Sequence, residues 1–252
     1  MNIREESTRR HFLRSASALG TGLVLNGCSG KSAIDRQSQS QALPAKAGGK
    51  TGIEVTAVED LMREHGVLRR ALFVYTETAA RLRGDPSTVA LETLQKTARL
   101  FRAFGEDYHE KKLEEAHIFP AVRKAGGEAA GFVDVLITQH QRGREITDYI
   151  LTATQSSEPG AAGARQLAQA LDSLVRMYRP HAAREDTVIF PAWKQTLTAA
   201  QLDEMGDKFE DIEREQFGED GFENAVKQIA EIEASLKLAD LGQFTAPSPP
   251  AA

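Results

Sequence analysis

The sequence predicts an all-α fold, an up-down four-helix bundle followed by two additional C-terminal helices. Three observations predict it. Long stretches rich in Ala, Leu, Glu, Lys, Arg and Gln favour helix, and no run alternates apolar and polar residues as a half-buried strand does. Turn signals at Gly84-Asp85-Pro86, Ala125-Gly126-Gly127 and Ser156-Ser157-Glu158-Pro159-Gly160 cut the middle of the chain into four helical lengths. Links this short favour antiparallel neighbours. A helix pair also repeats: His65 to His140 is 75 residues, His109 to His181 is 72, and Phe119-Pro120 to Phe190-Pro191 is 71.

The first helix is expected from near Thr56, with Glu59 and Asp60 in the first turn, where the helix dipole favours acids. Leu61, His65, Leu68, Leu72 and Tyr75 recur at three and four residues and make one inward stripe with a histidine inside it. The second helix is expected from about Ser87 toward Pro120, with Leu91, Leu94, Leu100, Phe101 and Phe104 on its apolar side and His109 near its far end. The third runs from about Glu128 to Thr154, with Phe132, Val135, Leu136, Ile146 and Ile150 apolar and His140 in the middle. The fourth starts near Ala162 and carries His181, and Pro180 should kink or restart it because its ring clashes with the preceding turn. Two further helices follow, from Thr198 to about Phe217 and from Gly221 to about Leu241. The aromatic residues Trp193, Tyr75, Tyr149 and Tyr178 are expected in or beside the core.

The ends of the chain read differently. Thr8-Arg9-Arg10-His11-Phe12-Leu13-Arg14 resembles the twin-arginine export signal, and the uncharged stretch Ser15 to Leu25 is too short to span a bilayer but suits a signal-peptide core. Leu25-Asn26-Gly27-Cys28 resembles a lipoprotein cleavage box, in which Cys28 is lipidated and becomes the first mature residue. The resulting organisation is a signal peptide over 1–27, a lipidated Cys and flexible tether over 28–54, the bundle over 55–195, a helical extension over 196–243 and a disordered tail over 244–252. This expects a periplasmic or cell-surface protein held to the membrane through its lipid anchor alone. Loss of residues 1–27 removes four Arg and two Glu and takes the formal charge from −5 to −7. With 41% hydrophobic and 27% charged residues the chain is of globular composition, and with no basic stripe it is not expected to bind nucleic acid. Cys28 is the single cysteine, so no intramolecular disulfide forms.

The chemistry concentrates in two segments. In Arg179-Pro180-His181-Ala182-Ala183-Arg184-Glu185-Asp186-Thr187-Val188-Ile189-Phe190-Pro191, His181 and Glu185 stand four residues apart and leave the same helix face. The other segment is His109-Glu110-Lys111-Lys112-Leu113-Glu114-Glu115-Ala116-His117-Ile118-Phe119-Pro120, and it too ends in Ile-Phe-Pro. Each is preceded by a histidine on an earlier amphipathic segment, His65 and His140. A lone histidine on an apolar face is ordinarily a hydrogen-bonded core residue. Four of them at matching places in a repeat, with paired glutamates, point to a metal, since buried His and Glu are otherwise costly.

The ordered set His65, His109…Glu114, His140 and His181-x-x-x-Glu185 resembles the hemerythrin-like (HHE cation-binding) domain over roughly residues 55–195. The resemblance implies a non-haem di-iron centre, two iron ions held by imidazoles and bridged by two carboxylates and an oxo or hydroxo group. It implies binding of dioxygen or a related small molecule such as nitric oxide or peroxide, as carrier, sensor or scavenger. Two alternatives stand beside that function: a di-iron oxidoreductase acting on peroxide or nitric oxide, and a structural helical lipoprotein without metal. The expected ligands are His65, His109, Glu114, His140, His181 and Glu185.

The two motifs differ by one residue. His109 to Glu114 is five residues where His181 to Glu185 is four, and on an ideal α-helix the extra residue turns Glu114 well away from His109. A π-bulge between them restores convergence; alternatively Glu110, four residues before Glu114, is the reserve ligand or accepts a His N–H. His117 lies three after Glu114, a ferritin-type spacing that makes it a second reserve, against the plainer reading of a surface histidine near a helix end. Glu115 and Asp186 are expected to face outward or to pair with Lys and Arg.

Overall fold

The fold was obtained as a computed structural model, which describes residues 55–155, 160–218 and 220–250. Helix α1 spans Ala57–Gly84, and Thr56 caps it in a reciprocal box with Glu59: the Glu59 N–H donates to Thr56 Oγ1 at 3.3 Å and the Thr56 N–H to Glu59 Oε2 at 3.0 Å. A 3₁₀ turn, Pro86–Thr88, leads into α2, Leu91–Leu100. Without a break the backbone then widens into a π-helical segment, Phe101–Ile118, and returns to α geometry as α3, Phe119–Ala125. Gly126 ends it at φ 77°, a left-handed conformation that glycine takes without Cβ strain.

The short α4 (Gly127–Ala130) precedes α5, Val133–Ala153. Helix α6, Ala161–Arg184, runs through Pro180 as one element, so the expected restart does not occur. A second π-helical segment, Glu185–Ile189, leads into α7, Phe190–Gln195. Both π segments close just before Phe-Pro. The N–H of Phe119 donates to the carbonyl of Glu114, and that of Phe190 to the carbonyl of Glu185. In an α turn a proline ring collides with the carbonyl four residues back; a turn widened to i→i+5 ahead of it makes room.

The four long elements form the up-down bundle. Helix α1 packs on α6, α5 packs on α6, and the π segment after α2 packs on α1 and α5. Helix α8 (Ala199–Phe217), capped by Thr198 with Gln201, and α9 (Gly221–Ser235), capped by Asp220, are the two C-terminal helices. Helix α9 lies on α1 and α2, held to α1 by Arg70, which donates to both carboxylate oxygens of Glu233 at 3.0 and 2.6 Å. It ends at Ser235, short of the expected Leu241, which belongs to a separate 3₁₀ turn. No strand and no helix long and apolar enough to cross a membrane occurs among the described residues.

Leu61, Leu68, Leu72, Tyr75, Phe101, Phe104, Leu136, Ile150, Leu171 and Leu174 form the core, as the apolar stripes require. Two expectations fail. Val135 is 47% exposed and Tyr149 40% exposed, because both lie on the outer face of α5, whose inward positions are Val133, Leu136, His140, Gly143, Thr147 and Ile150. Residues 1–54, with the twin-arginine stretch, Cys28 and the tether, lie outside the described residues.

Candidate metal centre

The four helices deliver six polar side chains to one point in the core. His65 comes from α1, His109 and Glu114 from the first π segment, His140 from α5, and His181 and Glu185 from α6 and its π extension. All six are buried. They form two candidate metal-ligand clusters, His65–His109–Glu114 and His140–His181–Glu185.

The π segment explains how a five-residue spacing works. Its hydrogen bonds run to the fifth residue, so residues five apart stack as residues four apart do on an α-helix. His109 Nε2 accordingly lies 3.3 Å from Glu114 Oε1, and His181 Nε2 lies 3.0 Å from Glu185 Oε1. Each glutamate also reaches across. The second oxygen of Glu114 is 3.3 Å from His140 Nε2, and the second oxygen of Glu185 is 3.6 Å from His65 Nε2. Each carboxylate therefore faces both clusters.

Outside the six ligands every imidazole has an acceptor. The Nδ1–H of His65 donates to Asp186 at 2.7 Å, that of His109 to Glu64 at 2.6 Å, that of His140 to Glu115 at 2.9 Å and that of His181 to the amide oxygen of Gln139 at 2.8 Å. Arg69 pairs with Asp186, and Arg144 with Glu115. In the neutral imidazoles these contacts place the proton on Nδ1 and leave Nε2 as the metal-binding nitrogen pointing inward.

The inward nitrogens then face each other, His65 and His109 at 3.0 Å and His140 and His181 at 3.1 Å. Two lone pairs this close repel unless a cation lies between them. Two imidazoles sharing a first-row ion at roughly 2.1 Å and near a right angle stand about 3 Å apart. All four oxygens of Glu114 and Glu185 lack a hydrogen-bond partner although they are buried. Four imidazole nitrogens and two carboxylates that each face both clusters are a donor set suited to iron, so the residues fit the group.

The charge balance agrees. Burial depresses the His109 imidazole, but Glu114 and Glu64 beside it outweigh burial and hold it well above the usual histidine range. His140 behaves likewise, with Glu110 and Glu114 overcoming burial. Burial and the neighbouring Glu185 press Glu114 upward, and His109 and His140 outweigh both. Glu185 is held below the carboxylate range by His181 and His140 against burial. The pocket is thus built to stabilise positive charge.

The two reserve residues separate from the six. Glu110 is buried, but it accepts from the Tyr178 hydroxyl and from Arg144, at 3.2 Å, and comes within 3.9 Å of His140 only at Nδ1, the atom already donating to Glu115. Arg144 bridges Glu110 and Glu115, so the three-residue grouping Glu110–Glu115–His140 is already supplied with a cation. His117 lies half-buried against Phe209 with ring centroids 5.9 Å apart, in none of the three groupings.

Sequence reasoning missed Glu64 and Gln139, and expected Glu115 and Asp186 only to face outward or to pair with Lys and Arg. A signal existed: each adjoins a ligand, as Glu64–His65, Gln139–His140, Glu114–Glu115 and Glu185–Asp186. A neighbour is turned about 100° from the ligand and so faces the next helix, where it meets the other ligand's Nδ1.

A small cavity lies at the cluster itself, lined by His65, His109, Glu114, His181 and Glu185. Leu68, Leu72 and Ala182 are its apolar wall, and Tyr178 and Glu110 are polar.

The family model of the hemerythrin HHE cation-binding domain matches residues 56–193, and again residues 133–237. This chain belongs to the hemerythrin family. Uncharacterised proteins of Mycobacterium bovis and Mycobacterium tuberculosis are 44% identical to it over 239 residues, 94% of this chain and 90% of theirs. No solved structure matches it. With the family shown, the paired His/His/Glu clusters are a ligand set of the non-haem di-iron type.

Proposed function

We propose that this hemerythrin-family chain is an exported di-iron protein, anchored through lipidated Cys28, that binds dioxygen or a related small molecule such as nitric oxide or peroxide. The observation that carries the reading is the pair of clusters sharing two buried carboxylates without hydrogen-bond partners. His65 and His109 would hold one ion and His140 and His181 the other, with Glu114 and Glu185, each facing both clusters, available to both. When bound, the two irons supply two electrons to an oxidising ligand. The chain's own residues do the rest. The Nδ1 acceptors fix each ring, the bridging carboxylates hold the pair together, and Leu68, Leu72 and Ala182 keep bulk water away. Five of the cavity's lining residues are the ligands themselves, so it marks the metal position, and the reading of a diatomic or peroxide ligand rests on the hemerythrin family.

Turnover of peroxide or nitric oxide is the second reading, favoured by the Tyr178 hydroxyl and Glu110 in the cavity wall. The deciding experiment adds dioxygen, nitric oxide or peroxide to the reduced, iron-loaded protein and follows the spectrum and the ligand concentration together. A reversible spectral change with no net consumption supports a carrier or sensor, whereas catalytic loss of ligand supports the oxidoreductase. No response to any of the three would contradict both. Export is tested separately, by fractionating cells that make the full chain and its Cys28→Ala variant.

A further inference from the structure

The internal repeat makes the surroundings of the centre nearly twofold symmetric. His65, Arg69, His109, Glu114 and Glu115 of the first half correspond to His140, Arg144, His181, Glu185 and Asp186 of the second. The hydrogen bonds follow the same exchange: Asp186 with Arg69 serves His65, and Glu115 with Arg144 serves His140. The remaining pair breaks the symmetry. His109 donates to the carboxylate of Glu64, and His181 donates to the neutral amide of Gln139, the residue at the corresponding place.

Total charge does not explain away the difference. On the first side Asp186, Arg69 and Glu64 sum to one net negative charge; on the second Glu115, Arg144 and the additional Glu110 do the same. What differs is the direct partner of one ring. A carboxylate draws the Nδ1 proton toward itself and raises the donor strength of Nε2, more than an amide oxygen does. Gln139 therefore leaves His181 the weakest of the four donors.

We propose that Gln139 is a positioning residue that makes the His140–His181 position the weaker of the two, filled second and emptied first. This rests on the di-metal reading above. Shared carboxylates and repulsion between two cations also separate the binding steps, whatever stands at 139. The inference concerns the part of that separation that residue 139 controls.

The test titrates the metal-free full chain with cobalt(II) in competition with a chelator, at one pH, following the d–d absorption. The wild type is expected to fill in two steps. Gln139→Glu should tighten the second step about tenfold, the low end of what such partners contribute to metal affinity, and leave the first unchanged. Glu64→Gln should weaken the first step by a similar factor and bring the two together. Circular dichroism of each variant checks the fold, and Gln139→Glu, at a half-buried position, decides alone if Glu64→Gln does not fold. A Gln139→Glu variant that moves neither step, or moves only the first, overturns the inference. Binding of no cobalt by the wild type overturns the di-metal reading itself, so the two failures are distinguishable.

Discussion

The two halves of the centre reach one geometry by different backbones. In the second half four residues separate His181 from Glu185, and the last α turn of α6, running into Glu185 at the start of the short second π segment, brings them to 3.0 Å. In the first half five residues separate His109 from Glu114, and an 18-residue π-helical segment brings them to 3.3 Å. π-helix is rare and occurs mostly as single turns. Its length here, on the element that supplies two of the six ligands, shows ligand convergence outranking regular helix. The contrast also shows that the spacing of a metal motif has meaning only together with the pitch of the backbone that carries it.

The largest expected effect comes from making the second half resemble the first. One Ala inserted between Ala183 and Arg184 turns Glu185 about 100° away from His181 where no long π segment compensates. Loss of both bound ions is expected, read by metal analysis of the folded protein. Because each bridge faces both clusters, Glu114→Ala and Glu185→Ala should each abolish both ions. Loss of a single ion from either variant would break the symmetry argued here.

Glycines sharpen the comparison next. Gly143 on α5 is buried where any Cβ would overlap the Tyr178 ring and hydroxyl, so Gly143→Ala should destabilise the protein by about 1–3 kcal/mol despite alanine's better helix propensity. Gly66 on α1, beside His65, has open space at that position, so Gly66→Ala should stabilise by about 0.5–1 kcal/mol. Denaturant melts of the two variants should move in opposite directions.

The position three residues before each motif histidine holds Glu106 in one half and Tyr178 in the other. Burial, with Glu110 nearby, pushes the Glu106 carboxyl from 4.5 up to about 7, against the Thr147 hydroxyl and Arg102. A carboxyl raised in the folded state binds its proton more tightly there. Its penalty is absent below about pH 4.5 and complete above about pH 7, so stability of the metal-free protein falls across that window. The fall is at most about 3 kcal/mol at 1.36 kcal/mol per unit. Glu106→Gln should flatten it, as read from melts at pH 4.5 and 7.5. The smallest effect is that of His117→Ala, which should leave metal content unchanged because His117 packs on Phe209 outside both clusters.

Much of this was legible in the sequence because it is periodic. The stripe from Leu61 to Tyr75 and the turns at Gly84 and Gly126 read directly as helices and their ends, and the repeat of His and Glu around Ile-Phe-Pro read as one site. A π distortion was one of two ways to meet the one-residue surplus, the other being Glu110, and neither its extent nor the second π segment at Glu185–Ile189 could be read from the sequence. Those depend on how a widened turn packs against neighbouring helices. Val135 and Tyr149 were misjudged because an apolar residue on α5 lies inside only if it falls in phase with Leu136 and His140. The acceptors Glu64 and Gln139 were missed because each serves a histidine on another helix, and only their adjacency to His65 and His140 marked them in the sequence.

The most direct test of the central claim is the mass of the intact folded chain after anaerobic loading with ferrous iron, measured under native conditions beside the Glu114→Ala and Glu185→Ala variants. The account predicts two irons on the wild type and none on either variant. A wild type that carries no iron, or a variant that keeps one or both, would contradict it.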